Sequence, residues 1–193
     1  MNDEELKILR EKQDSFFRHV EEQSPVKLFF AMVLSLTLYS IYWIQKTNLI
    51  LEYHDEDAPE SGRAVLVLVL IPLIWGVISF ILSVLIKNQI IMWINLLGWL
   101  VVTMLTLKYV YDFFVSFGKM TGTSGALWYF LFYPGYFSMI LLFFKITTTL
   151  PLLIFTILTI PAMQEYLNYK FQKVTQRDSN LRFNQKVKVG NNV

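Results

Sequence analysis

The chain contains no cysteine, which excludes disulfides, thiol nucleophiles and cysteine-bound metals. Charge is sparse: 17% of the 193 residues are Asp, Glu, Lys or Arg, against about 25% in soluble domains. Catalytic signatures are missing too. There is no HExxH pair, no Gly-rich phosphate loop and no Ser/His/Asp set. His19 and His54 are isolated in sequence. The run His54-Asp55-Glu56-Asp57 lacks the ligand spacing of a calcium loop, so it reads as a solvated acidic loop. No metal, cofactor or catalytic residue is expected. The basic residues of the tail lack interleaved aromatics, which argues against nucleic acid as a partner.

What is present is apolar. Hydrophobic residues make up 54% of the chain, with 16 Phe, 10 Tyr and 5 Trp. Between Arg63 and Lys108 the single charge is Lys87, which separates the uncharged runs Ala64–Ile86 and Asn88–Leu107. A helix needs about 20 residues to cross a hydrocarbon core, and each run is long enough. A soluble domain does not sustain two such runs in succession. The pattern predicts an all-α, polytopic membrane protein of one domain.

Residues 2–23 read as an amphipathic surface helix, with Leu6, Leu9, Phe16 or Phe17, and Val20 near one face. Segment 1–27 carries seven acids against five bases, which favours packing on protein over lying on anionic lipid. Ser24 is a good N-cap and Pro25 suits the first helical position, so a first span is expected over 25–45. Tyr39, Tyr42 and Trp43 lie at its far end, as an interfacial aromatic anchor. The charged N-terminus lacks the form of a cleavable signal, so this span is expected to stay in the mature protein.

After the acidic loop 46–63, spans over 64–86 and 89–114 should form an antiparallel hairpin about Lys87-Asn88, with Pro72 and Gly76 as bend points. Lys119–Gly125 is a loop, and Ser124 is placed to cap the segment after it. Residues 126–163 hold one charge, Lys145, and are punctuated by Pro134-Gly135 and Pro151. Two parses are open. Either an interfacial piece, Leu127–Tyr133, precedes one span over 136–163, or two short spans meet near Lys145.

Lys and Arg arbitrate the topology. Segment 1–27 holds five and the tail 164–193 holds six, against two in 46–63 and one, Lys119, in 115–125. Positive loops stay cytoplasmic. Both termini are therefore expected inside, with the two loops outside, in a four-helix bundle (five spans being the alternative). The first part of the tail, to about Thr175, is expected to continue the last helix, and the rest to be flexible. Its six bases against two acids suit anionic lipid.

Two motifs carry a family resemblance. One is Ser35-Leu36-Thr37-Leu38-Tyr39-Ser40-Ile41-Tyr42-Trp43, followed by Lys46 and Asn48. The other is Gln164-Glu165-Tyr166-Leu167-Asn168. Together they resemble an uncharacterised bacterial family of small multi-pass membrane proteins, domain of unknown function 4234. Thr37 stands where that family usually has Gly, Leu38 where Ile is common, and the middle helices add nothing. The resemblance implies a bacterial inner-membrane protein and no particular activity.

Ionisable groups inside spans need a reason. Lys108 and Asp112 are spaced to pair on one helix face. With Lys145 they would line a polar cavity, or else sit at the bilayer edge, one snorkelling and one hydrated. Asn95 reads as interhelical glue, and Gln164 and Asn168 as bonds between helix ends. These features suggest a non-catalytic membrane subunit, a scaffold or accessory protein that contacts lipid and other subunits or a second copy. A small oligomeric channel or transporter using Lys108, Asp112 and Lys145 is the second reading, and a lipid-directed enzyme a distant third.

Overall fold

Among the described residues two helices are long and apolar enough to cross a membrane, and they overlap the two uncharged runs: Arg63–Leu82 and Gln89–Thr121. Only 11% of the most apolar window of each is buried. The core helix of a soluble protein would be mostly buried. Here Leu73, Ile74, Val77, Phe80, Met92, Trp93 and Leu97 all face outward. Exposed apolar surface on this scale marks contact with a membrane or another protein.

The computed structural model describes residues 3–35, 38–85, 89–142 and 151–190. Every regular element among them is helical: α1 (Asp3–His19), α2 (Pro25–Leu34), α3 (Tyr39–His54), α4 (Arg63–Val65), a π-helical turn (Leu66–Leu70), α5 (Ile71–Leu85), α6 (Gln89–Thr121), α7 (Gly125–Leu142) and α8 (Leu153–Gly190). Lys87-Asn88, Lys145 and Thr37 lie outside the described residues.

α4, the π turn and α5 join end to end. Pro72 explains the π turn, because its ring crowds the carbonyl four residues back and it has no N–H to donate. The chain widens there, and the Ile71 N–H reaches back to the Leu66 carbonyl. α5 and α6 then pack through a reciprocal pair. The Trp75 indole fills the space a side chain at Gly98 would need, and Trp99 lies against Gly76, 3.9 Å from where a Cβ would be. The Trp99 N–H donates to Ser79 Oγ at 3.2 Å.

Three expectations change. The helix over 25–45 is two helices. α2 ends at Ser35, whose hydroxyl oxygen accepts the Tyr39 N–H at 3.0 Å and so starts α3. At 1.5 Å per residue the ten residues of α2 span about 15 Å, half the thickness of a hydrocarbon core. The second change is that α6 runs to Thr121 rather than Phe114. Phe113, Phe114, Phe117 and Met120 continue its buried face, and only Gly122, at φ +70°, ends it. Ser124 caps α7 as expected, its Oγ accepting from the Leu127 N–H. Third, α8 continues through the tail to Gly190 instead of ending near Thr175, while the described residues of 126–163 form separate helices, α7 and the start of α8, as in the second of the two parses left open.

The core gathers α1, α3, the second half of α6, α7 and α8, and reaches Ala64 and Leu68 at the start of the hairpin. Trp43 packs edge-on to Phe113, and Phe114 lies 5.4 Å from Phe132. α1 closes this core with Phe16 and Phe17, and Val20 just after it is buried too, so the amphipathic helix packs on its own protein. α7 and α8 meet at Gly135, where an added Cβ would lie 2.7 Å from the Thr156 backbone nitrogen and 2.8 Å from the Leu152 carbonyl oxygen. The expected outcome is that Gly135→Ala lowers the melting temperature in detergent, by an overpacking cost of about 1–3 kcal/mol, because backbone cannot give way. Gly76→Ala meets only ordinary contact and gains helix propensity, so it should leave the melt unchanged or raise it.

Candidate functional site

Trp43 and Gln164, one polar residue from each sequence motif, meet. Trp43 is 2% exposed, buried in the core rather than anchored at an interface as its spacing suggested. Its indole N–H donates to Gln164 Oε1 at 2.9 Å. Gln164 Nε2 donates onward to the Glu21 carbonyl at 3.1 Å and to Asn168 Oδ1 at 2.9 Å. Asn168 Nδ2 donates to the Gln23 carbonyl at 2.8 Å, and its Oδ1 accepts the Gln23 N–H. The i, i+4 spacing of Gln164 and Asn168 places both amides on one face of α8. Together they bond the Glu21 and Gln23 carbonyls and the Gln23 N–H of the non-helical link 20–24, which joins α1 to α2.

Around this junction four segments form a polar platform. Lys119, at the end of α6, bonds Asp55 at 2.6 Å and Asp57 at 3.0 Å. Gln13 of α1 donates to the Lys119 carbonyl at 2.8 Å. Arg18 and Asp178 pair at 2.9 Å, and Arg177 pairs with Asp14, tying α1 to α8. The Asp14 carboxylate raises the Arg177 pKa further above its usual value. The loop after α3 is held from within. The Ser61 hydroxyl and backbone N–H keep the Glu52 carboxyl below its usual range. Glu21 accepts from Lys46 and keeps that ammonium above its usual value. Asn48, fully buried, donates to the Pro59 carbonyl and to the Tyr109 hydroxyl, which itself donates to the Glu60 carbonyl.

His54 is not part of a solvated acidic loop. It is buried at the end of α3, with its ring edge-on to Phe16 and 5.2 Å from His19. Its Nδ1–H points at the Ile50 carbonyl, which only accepts, and Nε2 lies 3.1 Å from the Ser15 hydroxyl. Loops 46–63 and 115–125, expected on the opposite side from the termini, therefore share one face with α1 and the tail.

Lys108 is exposed and Asp112 half-buried, and no ion pair joins them among the described residues. Tyr111 shares their helical turn and meets Tyr129 edge-on at 5.6 Å, and Tyr129 stacks on Tyr133. Asn95 is half-buried in the α5–α6 hairpin, its Oδ1 enclosed without a partner among the described residues. Of the motif residues, Leu167 is buried, Tyr39 half-buried and Tyr42 exposed, the two tyrosine rings 5.3 Å apart. Sequence reasoning missed the Asn48–Tyr109 contact and the ion pairs from α1 to α8. Their partners stand far apart in the chain, and no local pattern joins them.

No family model, curated protein or solved structure matches the chain. The motif resemblance rests on its own residues, and Trp43 and Gln164, one from each motif, are joined by a direct hydrogen bond.

Removing Gln164 strands the Trp43 N–H and the Glu21 carbonyl, at about 1–3 kcal/mol for each unsatisfied group. Gln164→Leu is therefore expected to lower detergent stability strongly. Adding Trp43→Phe removes the stranded donor, so the double variant should lose less than the sum of the singles. Additive losses in thermal melts would show that the bond contributes nothing of its own.

Proposed function

We propose that the chain is a non-catalytic integral membrane subunit, a scaffold or accessory protein. Its apolar helices lie in the bilayer, and its polar platform meets partner proteins on one side. The observation that carries this reading is the division of the surface. The exposed face of α5 and of the first half of α6 is apolar, while ion pairs and buried amides collect at the opposite end.

In this reading four segments cross: α4–α5, α6, α7 and the uncharged sequence 146–163, which ends in the apolar start of α8. The α2–α3 hairpin enters from the platform side and returns, since α2 is too short to cross. Its apolar tip residues Val33, Leu34 and Leu38 are exposed, as lipid contact requires. The span count expected from sequence is kept, but α7 replaces segment 25–45 as a crossing. Charge supports the arrangement. Segments 1–27, 46–63, 115–125 and 164–193 hold fourteen of the seventeen Lys and Arg, the others being Lys87, Lys108 and Lys145. The positive-inside rule then makes the platform and both termini cytoplasmic.

Tyr111, Tyr129 and Tyr133 lie at the depth of Lys108 and Asp112, and form an aromatic belt of the kind found at a bilayer edge. There Lys108 snorkels and Asp112 is hydrated, which marks depth rather than a conduction path. The two sequence motifs add a bacterial inner membrane as the setting. Partners in the membrane are other subunits or a second copy of the chain.

Single cysteines in this cysteine-free chain test the topology. Glu4→Cys, Asp57→Cys, Thr123→Cys and Asn180→Cys should resist an impermeant maleimide in intact cells and react after permeabilisation. Gln89→Cys, at the far end of the hairpin, should react in intact cells. Reaction of Asp57→Cys from outside would overturn the shared face. For the function, affinity purification in mild detergent should recover a stoichiometric membrane partner. A chain that purifies alone and supports solute flux in vesicles would overturn the scaffold reading in favour of transport.

A further inference from the structure

A cleft of about 380 Å³ opens on the platform between α1, α8 and the turn after α6, with Gln13, Asp14, Phe17, Lys170, Lys173 and Arg177 among its walls. Small-molecule sites run from about 300 to 1,000 Å³, so this volume suits a compact polar ligand. Its charge is one-sided. Lys170, Lys173 and Arg177 recur at i, i+3 and i+7, on one face of α8, against a single acid, Asp14. Asp14 is already paired with Arg177. Neither Lys170 nor Lys173 takes part in any ion pair among the described residues.

The cleft is also held in shape. Phe17, buried, lines it, and the Tyr166 hydroxyl donates to the Thr121 carbonyl at 3.0 Å. Lys170 Nζ lies 5.3 Å from the centre of the Tyr166 ring, which steers it. Gln13 fixes α1 to the end of α6 through the Lys119 carbonyl. Two lysines that join no ion pair among the described residues thus line one concave space whose walls are tied together by hydrogen bonds and an ion pair.

We infer that this cleft is a phosphate-binding site, taking a phosphate monoester or the phosphate of a lipid headgroup on Lys170 and Lys173. A phosphate monoester carries about −1.5 to −2 at neutral pH and offers three acceptor oxygens, which matches a net charge of +2 and several N–H donors. Lysine serves such groups as a point charge. A carboxylate would leave one ammonium unpaired. The position suits either source. The cleft lies just beyond the apolar stretch of α8, so a headgroup reaches it from the bilayer and a soluble phosphate from water. Such a site is more specific than attraction of the whole basic tail to anionic lipid, and it does not depend on which proteins the platform contacts.

The full-length chain is tested in two ways. In neutral detergent, its thermal stability is followed with inorganic phosphate against sodium chloride at matched ionic strength. In nanodiscs of phosphatidylcholine, with or without a minor share of phosphatidic acid, tryptophan fluorescence follows headgroup binding. At least one probe should bind. Lys170→Gln with Lys173→Gln should weaken that binding about tenfold or more, since charge-assisted bonds carry it. Lys170→Arg with Lys173→Arg should keep it, which also shows that the fold tolerates change there. Lys186→Gln with Lys188→Gln, the same charge loss further along the tail, should leave it unchanged. Binding of inorganic phosphate identifies a soluble ligand, and response to phosphatidic acid alone identifies a lipid. Equal losses for the two glutamine pairs would reduce the effect to general tail charge and overturn the site, as would no response to either probe.

Discussion

The amide of Gln164 holds together the parts that define this molecule. It sits where α8 turns from apolar to polar, and it bonds the Trp43 indole of α3, the Glu21 carbonyl before α2 and the Asn168 side chain. The link 20–24 forms no helix, so its backbone groups need partners from elsewhere. Two side-chain amides on α8 supply them for the Glu21 and Gln23 carbonyls and the Gln23 N–H. Without that supply, the chain would have no stable way to leave α1, bend and enter α2 against the same helix. The junction lets one helix, α8, serve as the spine for both the amphipathic α1 and the apolar α2.

The rest of the architecture depends on that junction. With α1 laid on the polar half of α8, its buried face closes over the Phe113, Phe114 and Phe117 cluster. α3 returns from its short hairpin to the same place, bringing His54 under α1 and Asp55 to Lys119. The best-packed part of the molecule is therefore its polar end. The apolar hairpin of α4–α5 and α6 is held mainly by the interlocking of Trp75 with Gly98 and Trp99 with Gly76. That division suits a protein whose outer helices pack on lipid or neighbours, and whose fixed surface is displayed to water.

The sequence made the hairpin legible because hydrocarbon imposes a one-dimensional rule, about 20 uncharged residues in a row, that needs no knowledge of tertiary contacts. The caps at Ser24 and Ser124 were legible for the same local reason. The break at Ser35 was not. Its neighbours are as apolar as a span, and only the side-chain cap on Tyr39 marks it. Trp43 at helix-end spacing looked like an interfacial anchor, because the donor's partner, Gln164, is 121 residues away. The side on which loops 46–63 and 115–125 fall was misread because their few bases resemble an outer loop, while the contacts that place them, Lys119 to Asp55 and Gln13 to Lys119, are long-range. Gln164 and Asn168 were recognised as a bonding pair, but not that they hold the chain's own N-terminal link.

The face that loop 46–63 shares with the N-terminal helix decides the whole arrangement. Its most direct test is a pulsed electron-spin distance between labels at Lys12 and Glu56 in the reconstituted full-length chain. Both positions are exposed and neither takes part in the ion pairs that hold the platform. A shared face gives a single distribution well below about 30 Å, the thickness of a hydrocarbon core. A distribution centred beyond that thickness would put the loop across the membrane from α1 and contradict the arrangement.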